Sequence, residues 1–416
     1  MSFRRIVALF LLLSLSACAA SPRPETPSPS ATGAPVPLLL VSVDGLRADA
    51  LGRGDTPTLD SLAAGGVRAQ WMRPSFPVLT FPNHYTLATG MRPDHHGIVH
   101  NSMNDPELGR FVVGDADEAA VPGWWQAEPL WTTAERAGLV TGVWAWPGAS
   151  APRDGVMPRH NQIFVNEIPL ADRVEAVAGW LTAPGAGRAR FVAVYFEQVD
   201  QAAHDHGPSS EQARAAIRAV DAAIGELLAK VQAAGLALDV VVVSDHGMAL
   251  VPPSHFIAVE DMASIEEARV VSIGQVIGLA PNPGFEAAVE ARLLGRHDHY
   301  QCWRKSELPE RLHYGTHPRI PPLVCQMDES WNALPRAMLE RRAAAGPHDR
   351  GAHGYDPDLP SMRAVFVAHG PSFREGAQLP PFDNVDVYPL LSSLLGLPAR
   401  QVDGDPATLR PALRAP

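Results

Sequence analysis

The chain has 416 residues, 46% hydrophobic and 19% charged, and carries a formal net charge of -11 from 45 acidic and 34 basic side chains. Such a chain can build one large α/β domain with an insertion, or two domains, and global disorder is excluded. The acidic excess argues against a polymeric nucleic acid as main partner, since duplex binding relies on clustered Lys and Arg; small phosphate-bearing molecules stay compatible, because bound metal ions can reverse the local field.

Residues 1–18 read as an export signal. Arg4-Arg5 form a basic start, Ile6 to Leu15 an apolar stretch, and small residues follow. The stretch is too short to span a bilayer comfortably and has the length of a signal-peptide core. The order Leu15-Ser16-Ala17-Cys18 is that of a bacterial lipobox, predicting a lipid on Cys18 that tethers an exported, periplasmic protein to the outer membrane. Ordinary cleavage near Ala17 to Ala20 is the alternative, and export follows from either. Residues 19–36, rich in Pro, Ser, Ala and Thr, have tether composition.

A catalytic α/β domain is expected over residues 37–248 and 346–416. Leu38 to Val43 reads as a buried parallel strand, and Asp44 follows it. Thr58 to Ala64, Glu128 to Ala137 and Ile168 to Leu181 read as helices. Phe191 to Phe196 is a second buried strand, followed by Asp200 and His204, whose i, i+4 spacing places them on one helical face. Glu211 to Ala234 has the clearest helical period. Val240 to Val243 is a third such strand, ending in Ser244-Asp245-His246. The intervening helix makes a strand–helix–strand unit with a parallel crossover.

Residues 249–345 read as a small α+β insertion, with apolar runs at Val270 to Ala280 and Pro322 to Met327 and a helix over Phe285 to Leu294. It holds Cys302 and Cys325. With Cys18 lipidated, these two remain as a pair; an oxidising periplasm favours a disulfide, and two buried thiols are the alternative. The main sheet resumes at Met362 to Ala368, and a last helix covers Val385 to Leu395.

Ligands of open α/β sheets bind beyond the carboxyl ends of the strands. Asp44, Asp200, His204, Asp245 and His246 all follow such ends, and Asp with His suits zinc or a similar divalent ion. In Thr80-Phe81-Pro82-Asn83-His84-Tyr85, Pro82 favours the first turn of a helix that Gly90 can end. Thr80 then stands at a helix start, either as a simple N-cap or as a nucleophile that metal coordination activates. His353 lies in a loop before the last main strand, and local sequence alone leaves it a plain loop histidine. His95, His96, His100, His206 and His348 read as structural or surface residues.

Taken together, Val43-Asp44-Gly45, Thr80 to Tyr85, Asp200 with His204, and Ser244-Asp245-His246-Gly247-Met248 resemble the nucleotide pyrophosphatase/phosphodiesterase family of the alkaline phosphatase superfamily, most nearly its bacterial members. Gly97 to Asn101, Trp125 to Trp131 and Trp146-Pro147-Gly148 add to the likeness, which covers nearly all of the chain after the tether. It implies a mostly parallel central sheet flanked by helices and a site with two zinc ions per chain. Asp200, His204 and His353 would hold one ion. Asp44, Asp245 and His246, joined by Thr80, would hold the other, and Asn101 would contact a phosphoryl oxygen. Thr80 would attack a nucleotide phosphodiester or pyrophosphate bond, form a covalent intermediate and release a nucleoside 5'-monophosphate. In nucleotide-cleaving relatives an aromatic at the place of Phe81 stacks on the base, and the alternative is that Phe81 simply packs the helix start; Tyr195 is the candidate for the opposite wall. No Lys-x-Arg pair follows Trp146-Pro147-Gly148, which favours a diester over a dianionic monoester, although Arg153 and Arg159 lie nearby. A monoesterase, a phospholipid-type phosphodiesterase and a non-catalytic metal-binding lipoprotein are the competing readings. The sequence has no Cys-x-Pro-x-Arg segment of the sulfatase kind.

Overall fold

The computed structural model describes residues 36–165 and 168–415. The export signal, Cys18 and nearly all of the tether lie outside the described residues. Eight strands form the central sheet: β1 (Leu38–Val43), β2 (Val67–Ala69), β3 (Thr141–Trp144), β4 (His160–Gln162), β5 (Phe191–Phe196), β6 (Asp239–Val243), β7 (Phe366–His369) and β8 (Ala377–Leu379). Their order is β8-β2-β7-β6-β1-β5-β3-β4. The five strands from β6 to β4 run parallel, while β7 is antiparallel to both β6 and β2.

The three strands that the sequence marks as buried are neighbours at the centre. Leu38 of β1 pairs with Phe191 of β5 on one side and with Asp239 of β6 on the other. Every residue of the three is buried, as expected of parallel strands covered on both faces. Their carboxyl ends therefore open side by side on one edge. The crossover from β5 to β6 passes over β1 and contains two of the helices named here. With α1 as Thr80–Thr89, these are α2 (Gln198–His206) and α3 (Glu211–Ala233). Ser210 caps α3 by accepting the Ala213 N–H at 3.1 Å.

Several boundaries differ from the sequence reading. The helix expected from Glu128 begins at Leu130, because Pro129 holds the cap position in an extended conformation. The run Val270 to Ala280 is two antiparallel strands, Ala268–Ser272 and Val276–Pro281, separated at Gly274, whose φ of 106° suits only glycine. In the last main segment Met362 belongs to a short turn, and the strand starts at Phe366. The final helix covers Val387–Leu394 after a separate turn at Asn384–Asp386.

A second sheet of five antiparallel strands falls inside residues 249–345, and Cys302 and Cys325 face each other across two of its strands and are disulfide-bonded. At the two ends of this span, Ala249–Val251 pairs antiparallel with Arg350–Ala352. That short ladder returns the chain to the sheet edge just before His353. Among the described residues, no helix is long and apolar enough to cross a membrane.

Leu40 is 1% exposed at the middle of β1, whereas Leu250 is 42% exposed. Leu40→Ala is expected to lower unfolding stability by about 2–5 kcal/mol through cavity formation. Leu250→Ala should change it by less than about 0.5 kcal/mol. Chemical denaturation of both variants checks this.

Candidate active site

The sheet edge gathers the expected donors. Asp44 follows β1, Asp245 and His246 follow β6, and Asp200 and His204 sit on α2 just after β5. His246 Nε2 lies 2.9 Å from Asp245 and 3.5 Å from Asp44. Asp200 lies 3.4 Å from His204 Nε2 and 3.6 Å from His353 Nε2. Two donor sets each fall within 4.8 Å: Asp44, Asp245 and His246, and Asp200, His246 and His353. His246 thus stands between both groups, with its ring stacked 3.6 Å from that of His353. His204 Nε2 falls outside both sets but stands 3.4 Å from Asp200.

These atoms fit divalent cations. Asp44 Oδ1, Asp200 Oδ1 and Asp245 Oδ2 are buried without a hydrogen-bond partner, an arrangement that is costly unless a cation faces them. Among the described residues no Lys or Arg pairs with any of the three. Each imidazole is oriented through Nδ1, toward Gly351 O at 2.9 Å for His204, Gly247 O at 2.9 Å for His246, and Val78 O at 3.0 Å for His353. A carbonyl only accepts, so Nδ1 carries the proton and the neutral ring leaves Nε2 as a lone pair for a metal.

The electrostatics show the strain of bringing these groups together. Burial, then Asp245 and Asp200, holds the Asp44 carboxyl well above its ordinary range. Burial also raises Asp200. Burial opposes the charge on Asp245 as well, but His246 and His84 outweigh it and keep that carboxyl well below the usual value. His353 is held well below its ordinary value by burial, with His246 and His204 beside it.

Thr80 is the first residue of α1, with Leu79 at the cap position. Its hydroxyl lies 3.3 Å from His246 Nε2. The N-cap alternative therefore does not describe it. Asn83 fixes the loop ahead of α1, its Nδ2 donating to Ser75 O, Pro77 O and Leu79 O. Asn101 Oδ1 accepts the Phe81 N–H at 3.0 Å. That backbone donor thus orients Asn101, whose Nδ2 has no partner among the described residues.

The aromatic candidates divide. Phe81 is half-buried and packs against Phe111 and Trp125, with ring centroids 5.7 and 6.1 Å away. The Tyr195 phenol donates to Asp44 Oδ2 at 2.6 Å, and its ring meets His84 edge-on. It thus holds the Asp44 carboxylate, with only 8% of its surface exposed to serve as a wall. The exposed aromatic on this edge is Phe164, just after β4, 45% exposed and 6.2 Å from the Tyr195 ring. Sequence reading missed it; its signal was the run Ile163-Phe164-Val165 directly after an edge strand.

Sequence reading also passed over His84, which is fully buried. Its Nδ1 faces Thr80 O at 2.9 Å and Asp245 Oδ2 at 3.4 Å, and Ser42 Oγ donates to its Nε2 at 2.8 Å. Arg153 donates to Trp125 O, and Arg159 is exposed with its N–H on Glu135; neither pairs with the three carboxylates. His96 and His100 are buried structural residues, lowered by burial to about 3 and about 4.

This sheet, with its donors and helix-borne hydroxyl on one edge, defines a hydrolase of the alkaline phosphatase-like α/β fold. The family model for type I phosphodiesterase/nucleotide pyrophosphatase matches residues 38–356, and the chain belongs to that family. It is 34% identical over 381 residues to an uncharacterised pyrophosphatase/phosphodiesterase of Schizosaccharomyces pombe, covering 88% of this chain and 78% of that one. A bis(5'-adenosyl)-triphosphatase of Xenopus laevis is 32% identical over 88% of this chain and 79% of its own length. Ectonucleotide pyrophosphatase/phosphodiesterase family member 1 of Mus musculus is 32% identical over 91% of this chain, which spans only 43% of that longer protein. Among solved structures, murine ectonucleotide pyrophosphatase/phosphodiesterase 5, in an inactive Thr-to-Ala form with AMP, superposes with a TM-score of 0.84 at 31% identity, over 91% of this chain and 100% of that one.

Gly45 has φ 70°, and a Cβ there would stand 3.1 Å from Asp200 Cα. Gly45→Ala is expected to displace Asp200 and to weaken divalent-cation binding at least about tenfold by calorimetry.

The pH profile of the cation-free protein offers another check. Burial opposes the charge on His246, but Asp245 outweighs it, so the folded value is raised. The stability this gives is present below about pH 6.5 and is lost as pH rises through the raised value. Raised Asp44 acts in the same direction. Lowered His353 acts oppositely, but only below about pH 6.5, where the unfolded chain binds the proton the buried ring refuses. The denaturation midpoint should therefore fall as pH rises above about 6.5 without metal and stay level with a saturating divalent cation. A level profile without metal would contradict this.

Proposed function

We propose that the chain is an exported two-zinc phosphodiesterase that cleaves nucleotide phosphodiester or pyrophosphate bonds to nucleoside 5'-monophosphates. The observation carrying this reading is the meeting of three unpartnered carboxylate oxygens, three oriented imidazoles and the Thr80 hydroxyl. Asp44, Asp245, His246 and Thr80 would hold one ion, and Asp200, His204 and His353 the other. When bound, the ions supply Lewis acidity that favours the deprotonated hydroxyl and water and offsets developing charge. The oxygen-rich donor set with imidazoles suits zinc.

Thr80 Oγ gives its proton to solvent water and attacks phosphorus in line with the leaving oxygen. The Oγ–P bond forms as the bond to the leaving group breaks. Water then attacks the phosphothreonyl diester; its oxygen bonds to phosphorus as the Oγ–P bond breaks, and one of its protons returns to Oγ, releasing the nucleotide and restoring the hydroxyl. The helix start at Thr80 favours the anion. Asn101, oriented by the Phe81 N–H, donates through Nδ2 to a non-bridging oxygen. Phe164 and the exposed part of Phe81 offer the stacking surfaces for a base, which tolerate any base identity. Tyr195 supports Asp44. Support for a nucleotide also comes from the AMP carried by the murine neighbour, which is inactive when a threonine is changed to alanine. No Lys-x-Arg pair follows Trp146-Pro147-Gly148, and among the described residues Arg153 gives its NH1 to Trp125 O, which favours a diester over a dianionic monoester. Lipidation at Cys18 would hold the enzyme at the outer membrane facing the periplasm.

Thr80→Ala should reduce turnover of a nucleotide aryl diester by at least about 10³-fold while zinc remains bound. Wild type should show a higher kcat/KM for that diester than for a simple aryl monoester, and the reverse ranking would overturn the diesterase reading. A chiral phosphorothioate diester should react with net retention at phosphorus; inversion would exclude the Thr80 intermediate.

A further inference from the structure

Arg173 lies on the helix Leu170–Thr182, on no part of the site described so far, yet it is 1% exposed and charged. Its NH1 donates to Tyr195 O at 2.5 Å and to Glu197 Oε2 at 2.9 Å, and its NH2 donates to Glu197 Oε1 at 3.1 Å. The guanidinium packs 4.9 Å from the centre of the Phe196 ring and 5.8 Å from that of Trp144. It therefore grips the two residues that flank Phe196, where β5 ends and α2 begins.

We infer that Arg173 is a positioning residue for the Asp200, His204 and His353 ion site. Glu197 occupies the cap position of α2, and its side chain makes no cap bond to the helix. The carboxylate is turned back instead to Arg173 and to the Gln198 amide. Asp200 comes three residues after this anchor and His204 seven. The fork-to-fork geometry fixes both direction and distance, which a single point charge does not. Tyr195, by contrast, is already held by the ladder of β5 with β1, which pairs it with Ser42. Loss of the Arg173 fork should therefore loosen the α2 ligands and leave the Asp44, Asp245 and His246 site largely intact.

This inference rests on the two-ion reading above, and the test separates the two. The metal-free full chain is titrated with zinc by calorimetry, as wild type, as Arg173→Lys, and as the paired Arg173→Met/Glu197→Leu variant, which avoids leaving an unpaired buried charge if the lysine form fails to fold. The expected result is two binding steps in wild type. In the variants one step weakens by about 10–100-fold and the other stays within about twofold. Diester turnover at low zinc falls and recovers when zinc is added in excess, and the weakening of one step alone distinguishes this from general loss of stability, which would weaken both steps. Two unaltered steps in a folded variant overturn the inference alone. A wild-type chain with no zinc-binding step overturns the two-ion reading and this inference with it.

Discussion

Asp44, Asp200 and Asp245 converge at the carboxyl edge of three adjacent buried strands, and no Lys or Arg is paired with them among the described residues. Like charges in a poorly solvated site repel strongly. Protons relieve this in part, as the raised Asp44 shows. Divalent cations relieve it more fully, and the rest of the edge is arranged as if for them. The imidazoles turn their protons to backbone carbonyls, Tyr195 donates to one Asp44 oxygen and leaves the other free, and the Gly45 N–H does the same for Asp245 at 3.2 Å.

Much of this was legible in the sequence because buried parallel strands leave an unmistakable pattern. Three apolar, β-branched runs, each followed within four residues by an Asp, define both the sheet and the edge where ligands gather. The i, i+4 spacing of Asp200 and His204 anticipated α2. His353 could not be located from local sequence. What brings it to the edge is a ladder between Ala249–Val251 and Arg350–Ala352, about a hundred residues apart, and a pairing of that range leaves no local period. Tyr195 was read from its position at a strand end, but position alone does not tell whether a phenol faces substrate or a carboxylate. Phe164 and His84 act through contacts between elements, which no periodicity encodes. Element ends moved where proline restrains the backbone or glycine frees it, as at Pro129 and Gly274.

The elements behind the edge share one property, namely that they hold the ligand-bearing turns from the rear. Asn83 fixes the approach to Thr80, His84 joins that turn to Asp245, and Arg173 holds the start of α2. Such supports matter because ligand geometry within a few tenths of an ångström decides metal affinity and nucleophile alignment. The second sheet, within residues 249–345, shares a hydrophobic cluster with Val78, Ala352 and Tyr355. The loop before Thr80 and the strand before His353 therefore lean on the same packing.

Two cations must be held where the orphaned carboxylate oxygens point. Anomalous diffraction at the zinc edge, from crystals grown with zinc, tests this directly. The expected map has two peaks per chain about 4 Å apart, one contacted by Asp44, Asp245 and His246 and the other by Asp200, His204 and His353. A single peak, or none at this edge in a crystal of active enzyme, would contradict it.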